Sequence, residues 1–236
     1  MSHQEIEKNL IKRPIDTSPV KTKRIKLANN KEPVLEPAFS GDEVITAVQR
    51  STEEELIGDF SRPYTLPITK GRHQDLKSIT ASTVADLITG RIINVEFKII
   101  DCRYPYEFNG GHISGAVNLY MRQQISGFLN KSYKKREKIK FLIFHCEFSS
   151  ERGPNLCRYL REIDRKKNGT AYPALDYPEL YLLEGGHNKF FREYAGMCSP
   201  QNYIEMLQPE YAEELQHYKM QSEMWNRDKH EINEKR

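Results

Sequence analysis

Along the middle of the chain, segments with the hydrophobic period of a helix alternate with short apolar runs. The first helical segment is predicted to begin at Thr80, a residue type that caps helices, and to end at Gly90, a residue type that closes them. One face of this helix is apolar and holds Val84, Leu87 and Ile88. The residues before about position 50 show no sustained apolar period.

Three short apolar runs are typical of buried strands, since β-branched and aromatic residues are frequent in them. They span residues 97–101, 139–144 and 180–183. A further helix is predicted to begin at Gly153-Pro154, because proline fits the first helical turn, where its missing N–H costs nothing. Strands that alternate with helices predict an α/β fold with a parallel sheet covered on both faces.

The chain of 236 residues has room for one domain of ordinary size with tails. Residues 1–50 contain several prolines and few aromatic residues, which predicts a disordered basic tail. The predicted globular domain spans residues 51–226, and residues 227–236 are predicted to form a flexible C-terminal tail.

Charge and composition exclude several classes of function. Residues 1–35 hold eight Lys/Arg against four Asp/Glu, so the remainder is close to neutral and gives no case for broad nucleic-acid binding. No apolar run approaches the roughly 18 residues that a membrane span needs. The four scattered cysteines suit neither a disulfide framework nor a zinc site, so we expect no metal and a reducing compartment.

Two short motifs lie in the basic tail. Lys12-Arg13 and the basic run at residues 21–26 have the pattern of a bipartite nuclear localisation signal, although a solvated charged tail has the same composition. Ser18-Pro19 resembles a proline-directed phosphorylation site. We therefore expect the protein in the nucleus and the cytoplasm.

The segment from His145 to Pro154 combines a strand end, a cysteine, an arginine and a helix start. Cys146 follows the apolar run directly, with five residues between it and Arg152. Ligands bind beyond the carboxyl ends of parallel strands, and the N–H groups of a loop before a helix form an anion site. The intervening residues of this predicted phosphate-binding loop are Glu147, Phe148, Ser149, Ser150 and Glu151.

These residue types suit covalent phosphoryl chemistry. The positive potential of the loop, the helix and Arg152 favours the thiolate of Cys146, which can attack phosphorus and form a phosphocysteine. The guanidinium of Arg152 matches two phosphate oxygens, and Ser149 or Ser150 could stabilise the departing thiolate. A lone cysteine is more often a small buried hydrophobic residue, but the strand before Cys146 and the Gly-Pro after the loop favour catalysis.

The proton donor to the leaving group is less clear from the sequence. Glu151, beside Arg152, is the first candidate, and Glu147 is the alternative within the loop. Either carboxylate could instead shape the loop by accepting backbone N–H bonds. The absence of a Gly-Lys-Ser/Thr pattern excludes a nucleotide-binding P-loop.

Residues 56–226 resemble the M-phase inducer phosphatases, a family of dual-specificity enzymes. The resemblance lies in six sequence segments: Leu56–Ser61, His73–Lys77, Asp101–Phe108, Gly110–Ile113, Ala116–Leu119 and His145–Pro154. The resemblance implies a rhodanese-like fold, with a five-stranded parallel sheet flanked by helices on both faces. It implies removal of phosphate from phosphothreonine and phosphotyrosine of cyclin-dependent kinases bound to cyclin, which promotes entry into mitosis or meiosis. It also implies no metal and no organic cofactor, and we expect the protein to be a monomer.

The same resemblance assigns roles outside the loop. Cys102 ends one predicted strand as Cys146 follows another, and the family uses the matching cysteine as a reversible disulfide partner that protects the nucleophile. Arg161 and Arg165 match arginines that contact an acidic residue of the kinase–cyclin substrate. His187 stands where relatives often have tyrosine, and is expected at the rim of the substrate surface.

Three other functions compete with the phosphatase interpretation. A sulfurtransferase of the same fold would have a shorter loop than the one from Cys146 to Arg152. An arsenate reductase would share the chemistry but lacks the long matching words. A non-catalytic module that only docks kinases would be indicated by loss of Cys146 or Arg152, and both are present.

Overall fold

The computed structural model describes residues 55–135 and 141–234, without the side chains of residues 131–135 and 224–234. The basic tail, its localisation signal and Ser18 lie outside the described residues. The strands are β1 (Ser78–Ile79), β2 (Phe97–Asp101), β3 (His112–Ile113), β4 (Val117–Asn118), β5 (Phe141–His145), β6 (Glu179–Leu183) and β7 (Cys198–Ser199). The α-helices are α1 (Ala81–Ile88), α2 (Pro105–Asn109), α3 (Arg122–Lys135), α4 (Arg152–Lys167), α5 (Gly186–Tyr194) and α6 (Ala212–Glu234).

Five strands form one parallel sheet in the order β1-β6-β5-β2-β4, which confirms the predicted sheet. β5 is the central strand and is buried along its whole length. Asp101 of β2 lies opposite His145 of β5, so these two strands end at the same level. Strands β3 and β7 pair antiparallel as a separate small sheet.

Helices cover both faces of the sheet, as predicted. Along β5, Phe141 and Ile143 face a core shared with α1 and Phe190 of α5. Leu142 and Phe144 face the opposite core, which α3 and α4 complete. This alternation follows from the two-residue period of a strand, and burial of both faces explains why the run is continuously apolar.

The predicted helix boundaries are close to the observed ones, with one clear exception. The side chain of Thr80 accepts a hydrogen bond from the backbone of Thr83, which confirms it as the N-cap of α1. α4 begins at Arg152, one residue before the predicted start. α6 continues to Glu234, so the residues predicted as a flexible C-terminal tail are helical as far as residue 234. Neither glycine nor proline interrupts the chain there, and the helical hydrogen bonds can continue. Among the described residues, no helix combines the length and the apolar character that crossing a membrane requires.

Candidate active site

Cys146 lies at the carboxyl edge of the central strand, immediately before the loop that leads into α4. Its side chain belongs to the core packed between the sheet and α4, and the residue is 3% exposed. A Cβ atom at Gly153 would lie 3.0 Å from the carbonyl carbon of His145. Glycine therefore allows the first turn of α4 to approach the end of β5, which brings the positive helix end close to the cysteine.

Three carbonyl groups of the segment from Cys146 to Ser150 bond to residues that do not line the cleft described below. Cys146 O accepts from the N–H of His187 at 2.9 Å, and Glu147 O accepts from the N–H of Asn188 at 2.9 Å. Ser149 has a φ of 51°, a left-handed conformation that tightens the turn. Ser150 O contacts the imidazole of His73 at 3.0 Å. With these carbonyls directed outwards, the loop has the form of an anion-binding nest.

Arg152, the predicted phosphate ligand, is held by a carboxylate from α2. Its NH1 and NH2 donate to the two carboxylate oxygens of Glu107, and its guanidinium lies 4.9 Å from the ring centre of Tyr104. Burial opposes the positive charge, but Glu107 raises the pKa of Arg152 above its ordinary value. Each terminal nitrogen of arginine carries a second N–H. The group can therefore bind an oxyanion while Glu107 holds it in place.

Glu107 is a site residue that the sequence reasoning did not assign. It is fully buried, and it also accepts the backbone N–H of Tyr104 at 2.9 Å at the start of α2. Burial raises the pKa of Glu107, although its bonds with Arg152 oppose the rise. A glutamate three residues after Tyr104, with Pro105 at the first helical position, is a helix-start pattern that is visible in the sequence.

The structure separates the two candidate proton donors. Glu147 is buried, and its carboxylate accepts from the hydroxyl of Tyr203 at 2.6 Å. Burial and this bond raise the pKa of the Tyr203 hydroxyl, which keeps it a donor to Glu147. Glu151 is exposed, and its side chain makes no capping hydrogen bond at the start of α4. Glu147 thus has a partner that holds it in place, Glu151 is the exposed one of the two candidates, and the role of Glu151 as proton donor stays a prediction.

A cleft of about 570 Å³ opens above the loop. Cys146, Arg152 and Glu151 line one side of it, and Phe148, at 54% exposure, stands at its edge. The opposite wall comes from the segment around Met206 and from one face of α6. Residues of this wall are Glu205, Met206, Leu207, Leu215, Lys219, Ser222 and Glu223. The cleft is wide and its rim carries both charge signs, which suits a side chain presented by a protein surface.

Cys102 and Cys146 lie side by side, as predicted from the ends of their strands. The N–H of Cys102 donates to the carbonyl of His145 at 2.8 Å, and Asp101 and His145 are paired in the sheet. Both cysteines are buried free thiols. Burial is the main cause that raises the pKa of the Cys102 thiol, and the nearby Cys146 and Asp101 raise it further. The redox role of Cys102 stays a prediction.

Arg161 and Arg165 lie on α4, away from the cleft, and both bond to backbone carbonyls. Arg161 donates to Tyr177 O at 2.7 Å and to Pro178 O at 2.9 Å. Arg165 donates to Pro173 O at 3.3 Å and to Gly58 O. Both side chains are part-buried and not freely extended, and their role in docking stays a prediction.

A buried polar cluster lies beneath the loop and contains His187, together with Asp101, Arg103 and His145. The expected position of His187 at the rim is wrong, because its N–H bonds to Cys146 O and draws the start of α5 under the loop. Asp101, His145 and His187 offer metal-ligand atoms within 4.8 Å of one another. However, both oxygens of Asp101 accept from Arg103. A cation would place two positive charges beside one buried carboxylate, so the cluster suits a structural network better than a metal site.

Comparisons with known proteins found a family model and several solved structures similar to this chain. Residues 81–193 match the family described as rhodanese-like domain. Among solved structures, an As-Sb reductase from Leishmania major is 21% identical with a TM-score of 0.41, and covers 54% of this chain and 90% of that chain. A yeast protein tyrosine phosphatase of the rhodanese family is 19% identical with a TM-score of 0.41, covering 54% and 92% respectively.

Curated relatives extend over more of the chain. An M-phase inducer phosphatase of Drosophila melanogaster is 48% identical over 201 residues, which cover 79% of this chain and 42% of that protein. M-phase inducer phosphatase 1-B of Xenopus laevis is 40% identical over 237 residues, covering 90% and 43%. M-phase inducer phosphatase 1 of Mus musculus is 42% identical over 234 residues, covering 95% and 44%. The chain thus spans less than half the length of these relatives.

Proposed function

We propose that this chain, which belongs to the M-phase inducer phosphatase family and contains a rhodanese-like domain, is a cysteine-based dual-specificity protein phosphatase. One observation carries the proposal. Cys146 lies at the end of the central strand, beneath a loop that ends at Arg152, and the carbonyls of Cys146, Glu147 and Ser150 bond to residues that do not line the cleft. A thiol, a nest of N–H groups and a fixed guanidinium together suit a tetrahedral dianion.

The proposed reaction has two steps. In the first, the sulfur of Cys146 bonds to phosphorus, the bond from phosphorus to the substrate oxygen breaks, and Glu151 gives its proton to that oxygen. In the second, water attacks phosphorus, its proton returns to Glu151, and the sulfur–phosphorus bond breaks to release inorganic phosphate. Arg152, held by Glu107, stabilises the equatorial oxygens in both steps.

Dephosphorylation of p-nitrophenyl phosphate by three variants tests this chemistry. Cys146→Ser should abolish turnover, and Arg152→Lys should lower kcat/KM by about 10²–10³-fold, because lysine cannot make the paired contacts. Cys198→Ser is the matched control, since Cys198 is a buried free thiol on β7 that does not line the cleft. Turnover that survives in Cys146→Ser would overturn the proposal.

The proposed substrate is a phosphorylated cyclin-dependent kinase bound to cyclin, docked in part through Arg161 and Arg165. Support comes from the family resemblance and from the wide cleft, which cannot select one protein by itself. Each guanidinium uses two nitrogens on backbone carbonyls and is thereby fixed in direction. A pre-oriented arginine loses less entropy when it pairs with an acidic group on a partner.

The docking proposal separates from catalysis when one variant is measured on two substrates. Arg161→Ala should lower kcat/KM on the phosphorylated kinase–cyclin complex by on the order of tenfold, with p-nitrophenyl phosphate hydrolysis unchanged. Arg192→Ala removes an exposed arginine of α5 and should change neither. Because Arg161 also binds two carbonyls, Tm is measured for both variants. Equal losses on both substrates would indicate a structural role instead.

Two rival functions give different outcomes in the same experiments. A docking module would bind the kinase–cyclin complex without any turnover that depends on Cys146. A sulfurtransferase would transfer sulfur from thiosulfate to cyanide, and that assay should give no signal above the Cys146→Ser background.

We propose nuclear and cytoplasmic localisation, directed by the two basic clusters of the tail. A fluorescent fusion of the full chain should lose nuclear accumulation when Lys23, Arg24 and Lys26 are changed to alanine. Changing Glu5 and Glu7 to alanine serves as the control. Unaltered distribution of the basic-cluster variant would contradict the proposal.

A further inference from the structure

The bonds around His73 determine its tautomer. Its Nε2 lies 3.0 Å from the carbonyl oxygen of Ser150, which can only accept, so Nε2 carries the proton. Its Nδ1 lies 3.2 Å from NH2 of Arg158, which can only donate, so Nδ1 carries a lone pair. His73 therefore accepts one hydrogen bond at Nδ1 and donates one to the loop at Nε2.

Arg158 is itself fixed on the other side. Its Nε and NH2 donate to the two carboxylate oxygens of Asp75 at 2.7 and 2.8 Å. The hydrogen bond from Arg158 is the main cause that lowers the pKa of Asp75. A chain of directed hydrogen bonds thus runs from Asp75 through Arg158 and His73 to the backbone of the phosphate-binding loop. Asp75 and His73 belong to the segment before β1, and Arg158 belongs to α4. None of these three residues lines the cleft.

The bond to Ser150 determines which way one peptide group of the loop faces. The peptide from Ser150 to Glu151 is trans, and the N–H of a trans peptide points opposite to its carbonyl. The carbonyl is turned to His73, which does not line the cleft, whereas Ser150 and Glu151 do, so we expect the N–H of Glu151 to face the cleft. If this peptide rotated, a carbonyl oxygen would face the bound oxyanion in place of a donor.

Among the three outward carbonyls described above, this one alone is held by a side chain. The carbonyls of Cys146 and Glu147 accept from backbone N–H groups of α5. Ser149, next to the controlled peptide, has a φ of 51° and no hydrogen-bond partner for its buried hydroxyl. A non-glycine residue in the left-handed conformation is strained, so the backbone beside Ser149 benefits from a hydrogen bond that holds it.

We propose that His73 is a positioning residue that holds the Ser150–Glu151 peptide in the orientation that binds a phosphoryl group. The inference rests on the proposed phosphatase function for its substrate class, but it concerns oxyanion affinity and can be measured without turnover. Arg158 and Asp75 orient the imidazole, and none of the three touches the reacting atoms.

The test compares His73→Phe with His73→Gln. Phenylalanine keeps an aromatic ring at this position but has no N–H to donate to Ser150, whereas the amide nitrogen of glutamine can replace Nε2 as the donor. His73→Phe should lower kcat/KM on p-nitrophenyl phosphate by about 10- to 100-fold and weaken competitive inhibition by tungstate, because one oxyanion donor is lost. His73→Gln should recover most of both. His112→Phe is the matched control, since it removes an imidazole bonded to the carbonyl of Phe108 away from the loop.

Binding of inorganic phosphate to the Cys146→Ser protein, followed by calorimetry, separates this inference from the proposed function. If the wild type shows no turnover but His73→Phe weakens phosphate binding in this background, the positioning role stands and the phosphatase function fails. The inference is overturned if His73→Phe binds phosphate as tightly as its parent, or if His73→Gln is as impaired as His73→Phe. Arg158→Met, which leaves the imidazole but releases its support, should produce a smaller loss in the same assays.

Discussion

At the scale of single residues, the site depends on buried and part-buried groups that lie against the reactive ones. Arg152 is oriented by Glu107, Cys146 lies beside Cys102, and the loop backbone is held by His73. A charged group held in one direction needs no reorganisation when the charge of the substrate shifts, and this lowers the barrier.

Glu107→Gln should lower kcat/KM on p-nitrophenyl phosphate by about 10- to 100-fold. Glutamine fills the same volume but offers one acceptor oxygen to two guanidinium nitrogens, so Arg152 loses its fixed direction. Glu210→Gln, at an exposed position, is the control for loss of one negative charge. An unchanged kcat/KM in Glu107→Gln would show that Arg152 does not depend on this carboxylate.

Cys102→Ser should make oxidative inactivation permanent. In the wild type, a sulfenic acid on Cys146 can condense with the neighbouring thiol, and a reductant restores the enzyme. After a brief peroxide pulse and then dithiothreitol, the wild type and Cys198→Ser should recover turnover and Cys102→Ser should not. Full recovery of Cys102→Ser would exclude the protective role.

At the scale of elements, the start of α5 supports the loop as closely as the start of α4 does. Gly186 has a φ of 62°, and a Cβ atom there would lie 2.5 Å from Glu147 O. The N–H groups that follow it bond to the loop carbonyls. Two helix starts, from opposite faces of the sheet, thus meet the same loop.

Gly186→Ala should lower the free energy of unfolding by at least about 2 kcal/mol, because alanine is strained at positive φ and meets the loop backbone. Gly127→Ala provides the contrast, since Gly127 lies within α3 with open space around its Cβ position. That change should stabilise the protein by about 0.5–1 kcal/mol. Urea denaturation measures both, and a neutral Gly186→Ala would mean that the loop can shift away at little cost.

At the scale of the whole molecule, the buried polar cluster beneath the loop makes folding depend on pH. Burial is the main cause that lowers the pKa of His187 from 6.5 to about 2, and the positive charge of Arg103 is the second cause. The unfolded chain binds a proton at this residue below pH 6.5 and the folded protein does not. The contribution of His187 to the free energy of unfolding is therefore fully present above pH 6.5 and is lost as the pH falls towards 2.

His187→Phe should remove this part of the pH dependence. Between pH 6 and 5, the free energy of unfolding of the wild type should fall by about 1.4 kcal/mol per pH unit more than that of the variant. The reason is that unfolding of the wild type takes up a proton at His187, whereas the variant has no group there to take one up. Urea unfolding at pH 7, 6 and 5 measures the difference. Equal slopes for the two proteins would show that His187 is protonated in the folded state.

Much of this protein was determined by local sequence. The apolar runs predicted the strands, Thr80 and Gly153-Pro154 marked helix starts, and the segment from Cys146 to Arg152 indicated the chemistry. These features depend on neighbours along the chain, where backbone periodicity, caps and the rigid proline act. The side-by-side position of Cys102 and Cys146 also followed, because parallel strands end at one edge.

Only the tertiary structure decided which carboxylates are buried and what holds the loop. Glu107 reaches Arg152 across 45 residues of chain, and His73 reaches Ser150 across 77. His187, expected at the surface, lies in the core because its backbone bonds to the loop. Whether a polar side chain is a donor, a support or a surface group depends on its solvent exposure and its partners. Those are set by how distant segments pack, which spacing along the chain does not encode.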